Sequence, residues 1–202
     1  MQTYLVWNGK GGVGKTTITL TLAAAFSNAG LAVSVLDLDT EQQSSFQAGQ
    51  RLKEQGLANF SVASDPSKLD PCQILLIDTP PQASNATLRM ALEFVRQNEQ
   101  GRIVVAMPPT MLDFRATVKA LASTSLSKDT HCRLLMNRVK TQSAYGKQDA
   151  REEFAKNLGI PLLRGFMKER SCYQRLVVNG WAALTQDAVA EIDSIKTELM
   201  LS

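Results

Sequence analysis

One stretch near the start of the chain limits the possible folds more than any other. The apolar run TYLVW at residues 3–7 leads into GKGGVGKTT, and a helical pattern of apolar residues follows at once over residues 16–29. A loop this rich in glycine can take positive φ and turn several N–H groups toward one point. The helix behind it presents the positive end of its dipole to the same point. Counted from Gly9, the residues match the phosphate-binding pattern GxxxxGK[ST] at Gly9, Gly14, Lys15 and Thr16, in the strand–loop–helix context which that pattern requires. In such a loop the lysine reaches the terminal phosphates of a nucleotide and the hydroxyl of Thr16 ligates Mg²⁺. A second lysine, Lys10, is left over.

The rest of the chain supplies the elements such a loop needs. Short apolar runs at residues 32–36, 74–77, 103–107 and 133–136, with a weaker one at 162–166, read as buried strands. Between and after them lie helical patterns at 41–55, 86–97, 114–126, 147–158 and 187–201. Continuous aliphatic strands alternating with helices argue for a mostly parallel, doubly wound α/β sheet covered on both faces. Gly30 and Gly159 are placed to end the helices before them. No repeat, low-complexity tract or linker divides the chain, so one P-loop domain over residues 1–202 is expected.

Two apolar runs end in acids: VLDLDT puts Asp37 and Asp39 at the end of one, and LLIDTPP puts Asp78 at the end of another. In open α/β sheets ligands lie beyond the carboxyl ends of the strands, so these acids should meet the phosphate loop and its metal. Any one of them alone would read better as a turn or helix cap; three together, after a complete phosphate loop, reverse that preference.

Composition excludes several classes. The chain of 202 residues is 44% hydrophobic and 20% charged, with net charge +3, a balance that fits a packed globular protein and does not by itself imply a nucleic-acid partner. The charge is uneven, however. Residues 131–175 carry ten Lys/Arg against four acids, which makes that segment +6 and the remainder −3 and points to a surface facing a polyanion. Cys72, Cys132 and Cys172 are widely spaced and odd in number, against a disulfide framework or zinc site and in favour of a reducing cytoplasm. His131 is the only histidine and lacks a partner for ligation or a triad. Neither a signal peptide nor an apolar run long enough to span a bilayer is evident.

KGGVGKTT resembles the deviant Walker A motif of the ParA/MinD ATPases, in which the early lysine is the hallmark. DLDTEQQS is similar to their DxDPQ-type segment with Thr40 in place of proline, LLIDTPP to their Walker B and switch II, and MPPTMLDFRA to their Pro-Ser-Pro-Leu-Asp segment. MNR resembles their base-side Asn-Arg motif, and KERSCYQRLVVNGWAAL their basic helix and glycine turn, so the likeness runs over residues 1–184. The short ParF-like branch, which opens directly on the phosphate-loop strand, is the nearest in pattern.

The resemblance implies ATP hydrolysis with Mg²⁺. Gly11, Gly12, Val13, Gly14, Lys15, Thr16 and Thr17 would hold the phosphates, while Asn137 and Arg138 lie on the base side. It assigns the metal to Thr16, Asp37 and Asp78, the last through a water, and the attacking water to Asp39. Lys10 would reach a partner subunit's nucleotide and make a homodimer ATP-dependent; alternatively its charge strengthens binding within its own chain. Lys147, Arg151, Lys168, Arg170 and Arg175 would bind nonspecific double-stranded DNA, giving a cytoplasmic, nucleoid-associated protein. The cargo would be a plasmid, engaged through a ParB-like adaptor that stimulates hydrolysis. Alternatives are a protein cargo such as a carboxysome-like compartment or chemosensory cluster, or a regulator of the cell-division or surface machinery that does not bind DNA. No membrane partner is expected: the tail AEIDSIKTELMLS is net negative, and its Ile192, Ile195 and Leu199 read as core-facing.

Overall fold

The structure, a computed structural model, describes residues 1–97, 99–124, 126 and 129–201. Its centre is a six-stranded sheet built from β1 (Gln2–Trp7), β2 (Val33–Asp37), β3 (Ser61–Ala63), β4 (Ile74–Asp78), β5 (Arg102–Met107) and β6 (Cys132–Met136). The strand order is β3-β2-β4-β1-β5-β6 and all the pairings are parallel. Parallel neighbours need crossover connections. Helices α1 (Lys15–Asn28), α2 (Ser44–Glu54), α3 (Asn85–Arg96), α4 (Met111–Thr124) and α5 (Gln148–Leu158) lie between and after the strands, followed by α6 (Ser171–Asn179) and α7 (Gln186–Leu201). This is the doubly wound α/β architecture that the alternating runs predict.

Alternation along β1 sorts its side chains between two cores. Tyr4 and Val6 join Ile18, Phe26, Leu52, Leu176, Ile192, Ile195 and Leu199, so α1, α2, α6 and α7 cover one face. Leu5 and Trp7 join Leu92, Val95, Leu121, Phe154 and Leu158, so α3, α4 and α5 cover the other. Burial on both faces is why the strands read as unbroken aliphatic runs. Ile192, Ile195 and Leu199 of α7 are fully buried, each contributing about 1.5–3 kcal/mol of transfer free energy. Among the described residues no helix is long and apolar enough to cross a membrane.

Four differences from the sequence reading have local causes. The short edge strand β3, SVA, has no aliphatic run to announce it. Residues 162–166 form no strand, only a bridge from Leu162 to Leu134. There the Glu198 carboxylate accepts the N–H groups of Arg164 and Gly165, which a ladder would otherwise use. Helix α2 starts at Ser44, not at 41, because Asp39 Oδ1 accepts the N–H of Gln42 at 3.0 Å and holds a turn, and Gln43 is left-handed at φ 48°. Helix α6 escaped the periodicity reading, although the family resemblance places a helix there. The expected end of the fourth helix, near Leu126, runs through residue 125, which lies outside the described residues.

Candidate nucleotide site

Strand register brings the acids to the loop. Val6 pairs with Asp78, and Asp37 pairs with Asp78, so β1 gives way to the glycine-rich loop beside two carboxylates at the carboxyl edge of the sheet. The loop itself is braced from two sides. Asn8, fully buried, donates to Ala106 O (2.8 Å) and Thr117 Oγ1 (2.9 Å), while its Oδ1 accepts the Lys10 N–H (2.9 Å). Asn137 Nδ2 donates to Val13 O at 2.9 Å, and its Oδ1 accepts the Arg138 N–H at 2.8 Å. Gly14 has φ +96°, and a Cβ there would sit 2.5 Å from Asn137 Nδ2, so both backbone and packing demand glycine. Asn8 was missed by sequence reasoning; the signal available was a polar residue ending an apolar strand just before the loop.

Lys15 and Asp78 form the charged floor. Lys15 is buried, and among the described residues its Nζ donates only a long 3.3 Å bond, to Lys10 O. Burial lowers its pKa, while Asp78 and Asp39 pull it back up. Asp78 Oδ2 accepts the Thr16 hydroxyl at 2.7 Å and the Ser45 hydroxyl, but its Oδ1 is buried with no hydrogen-bond partner among the described residues. Burial pushes the Asp78 carboxyl up to about 6, against the opposing bonds from Ser45 and Thr16. Ser45 is a second residue that sequence reasoning missed.

Mg²⁺ prefers hard oxygen ligands and is held by one or two carboxylates together with substrate phosphates. The unpartnered Asp78 Oδ1 and the adjoining Thr16 hydroxyl fit that ion, as do the nearby phosphate sites of the loop. Asp37, the third residue expected at the metal, is engaged by backbone N–H groups here. Its Oδ1 accepts the Asp39 N–H and its Oδ2 the Phe46 N–H, both at 2.9 Å. Asp37 thus caps α2 from a neighbouring strand, where the helix's own Gln43 supplies no side-chain cap. Burial raises its pKa and these backbone bonds offset the rise. Asp39 is half-buried at the edge of the site, held by the turn it caps.

Lys10 pairs with Asp113 at the start of α4, and Asp113 Oδ2 also accepts the Thr110 hydroxyl. Within one chain, then, the extra lysine rests on a nearly buried carboxylate beside the loop.

A cavity of about 320 Å³ opens on the other side of the loop, lined by Gly14, Thr17, Asn137, Arg138, Lys168, Arg170 and Tyr173, among others. Its walls hold two of the cations expected on a DNA-facing surface. Lys168 Nζ lies 3.0 Å from Glu191 Oε1, and Arg170 Nη2 lies 2.7 Å from the same oxygen, so both partly exposed cations are paired within the chain. Arg151 is buried as well: its Nη1 donates to Tyr145 O (3.0 Å) and Gly146 O (2.9 Å), and its guanidinium lies over Phe166 at 3.9 Å. Its long apolar stem and planar head suit packing, which i, i+4 spacing from Lys147 could not reveal. Lys147 and Arg175 are exposed.

Comparison with known proteins agrees with this geometry. A "Maintenance of carboxysome distribution protein A" from Gloeobacter kilaueensis is 29% identical over 189 residues, covering 89% of this chain and 82% of the relative. Among solved structures, the MinD cell division protein of Aquifex aeolicus superposes with TM-score 0.71 at 17% identity, covering 100% of this chain and 98% of that one. A plasmid partition protein from Borrelia burgdorferi superposes with TM-score 0.64 at 17% identity, covering 97% and 96%. The family model described as "CobQ/CobB/MinD/ParA nucleotide binding domain" matches residues 4–181. The chain therefore belongs to the CobQ/CobB/MinD/ParA nucleotide-binding domain family, as an ATPase of the ParA/MinD type.

Proposed function

We propose that this ATPase hydrolyses ATP as a homodimer that forms only in the ATP state, associates with nonspecific DNA and positions a cargo through an adaptor that stimulates turnover. The observation that carries the reading is a buried, nearly unpartnered Lys15 facing an under-satisfied Asp78 across the mouth of a glycine-rich loop. Lys15 and the N–H groups of residues 11–17 hold the β- and γ-phosphates. Thr16 and Asp78 hold Mg²⁺, which when bound neutralises phosphate charge. Asp39 orients the attacking water, so positioning and electrostatics carry the step without a covalent intermediate. Asn137 and Arg138 border the base. Lys10 leaves Asp113 for the neighbouring protomer's phosphates, which ties pairing to the triphosphate.

The test is the molecular mass in solution with ADP and with a slowly hydrolysed ATP analogue. A dimer is expected with the analogue alone, and Lys10→Ala should abolish it while ATP still binds. A monomer in both nucleotides, or a dimer indifferent to Lys10, overturns the reading.

DNA contact rests on Lys147 and Arg175, about four cations per dimer, for which log K should fall against log[salt] with a slope of about −3.6. An ATP-bound dimer with no salt-sensitive association to random duplex DNA favours the regulator that binds none. For the cargo, a plasmid with a ParB-like adaptor is one reading. A protein compartment is the other, favoured by the carboxysome-distribution relative, whose likeness runs along most of both chains. Deleting the gene and scoring plasmid loss against compartment clustering separates the two.

A further inference from the structure

Glu191 of α7 lies outside the phosphate site, yet more donors converge on it than on either acid at the sheet edge. Its Oε1 accepts Arg170 Nε (3.1 Å) and Nη2 (2.7 Å) and pairs with Lys168 Nζ at 3.0 Å. Its Oε2 accepts the Tyr173 hydroxyl (2.7 Å) and the Lys168 N–H (3.3 Å). The Glu191 side chain is only 11% exposed. Lys168, Arg170 and Tyr173 all line the cavity that begins at Gly14 and Thr17. One carboxylate on the last helix thus gathers one part of the cavity wall.

We propose that Glu191 is a positioning residue for the nucleoside end of the bound nucleotide: by fixing Lys168, Arg170 and Tyr173 it sets the shape of the base-side wall while leaving the phosphate loop alone. The inference rests on the reading that this loop holds ATP. Its consequence is a division of labour. Affinity for the triphosphate comes from the loop, and the added affinity for the nucleoside depends on α7. Charge-assisted bonds hold such a wall more firmly than neutral ones, and a wall set in advance spares the ligand the cost of ordering it.

The experiment compares ATP with inorganic tripolyphosphate, which lacks base and sugar, as ligands of the full chain and its Glu191→Gln variant. Expected is a loss of about tenfold in ATP affinity, the order of one broken charge-assisted bond, with tripolyphosphate affinity unchanged. Equal weakening of both ligands, or of neither, overturns the proposal. Lys168→Met provides a second variant that leaves the carboxylate in place; a smaller change in the same ATP-to-tripolyphosphate ratio is expected, and an unchanged ratio counts against the proposal. The ratio is the informative readout, because a merely less stable fold lowers both affinities together. If the unaltered protein binds neither ligand, the nucleotide reading itself fails and this inference falls with it. If it binds both and the variants keep its ratio, only the inference fails.

Discussion

Asp78 and Glu191 are both carboxylates withdrawn from water, and their surroundings treat the negative charge in opposite ways. Asp78 has two hydroxyl donors on one oxygen and none on the other, and burial pushes its pKa up to about 6. Burial opposes the Glu191 charge too, but bonds from Arg170, Tyr173 and Lys168 outweigh it and hold the carboxyl below the ordinary glutamate value. A satisfied charge holds structure together. An under-satisfied one costs stability and is kept where something charged arrives later. The carboxyl edge of the sheet is the place built to receive a ligand, and the face of α7 is the place built to hold still.

The sharpest way to break that contrast is Lys15→Ala. This removes a buried cation from the floor of the receiving site, and ATP affinity should fall by at least about 100-fold. Titration with a fluorescent nucleotide checks this, and a loss of threefold or less would move the nucleotide elsewhere. Next in size is a pair of changes with opposite signs in the nucleotide-free protein. Asp78→Asn removes a charge that burial penalises by on the order of 3 kcal/mol at neutral pH, so the melting temperature should rise by about 9 °C while Mg²⁺-dependent turnover is lost. Glu191→Gln strands two partly buried cations and should lower it by a similar amount, about 9 °C. Calorimetry of both variants at pH 7.5 gives the signs. If both move the same way, the two carboxylates are not the opposites described.

The sequence announced the receiving edge far better than the holding face. GxxxxGK[ST] after an apolar run, with acids closing two other runs, fixes a loop and its carboxylates by local pattern, and parallel register then aligns them. What it could not show is which partners each acid finds in the folded chain. Asp37 and Asp78 end their strands alike, but the hydrogen-bond partners of Asp37 lie two and nine residues further along the chain, whereas the donors to Asp78 come from α1 and α2. The partners of the cations were hidden for a related reason. Arg151, Lys168 and Arg170 read as surface charge because their partners are far off in sequence: a ring fifteen residues away for Arg151, and a carboxylate on α7 for the other two. Charge counts along a chain record composition, and only the fold says which charges face water.

Acid should separate the two carboxylates without mutation. Between its ordinary value of 3.8 and about 6, the folded state of Asp78 binds a proton that the unfolded chain lacks. That contribution to the stability of the nucleotide-free protein is therefore present at low pH and is lost as pH rises through about 6. Mg²⁺–nucleotide affinity runs the other way, weakening as pH falls through about 6 because the proton competes for the same oxygens. Glu191 has a lowered pKa, so its contribution is present above the ordinary value of 4.5 and is lost only below that. Isothermal titration from pH 8 to pH 5 should show Mg²⁺–nucleotide affinity falling by about tenfold per pH unit at most below the midpoint, with the circular dichroism of the fold unchanged. A flat profile would mean that Asp78 is ionised throughout.

The smallest expected effects come from deleting one hydroxyl at each carboxylate. Tyr173→Phe takes one donor from Glu191, which keeps Arg170 and Lys168, so the loss should be a net hydrogen bond of about 1 kcal/mol, a drop of about 3 °C. Ser45→Ala takes one of the two hydroxyls on Asp78, which then has only Thr16 to offset its burial. The same chemical deletion therefore has different consequences. At Glu191 it should change stability and leave the pH midpoint of Mg²⁺–nucleotide binding where it was. At Asp78 it should move that midpoint upward, because the bond that favours the charged form has gone. Parallel titrations of the two variants decide the matter: a midpoint that shifts for Tyr173→Phe and stays put for Ser45→Ala would reverse the roles assigned to the two carboxylates.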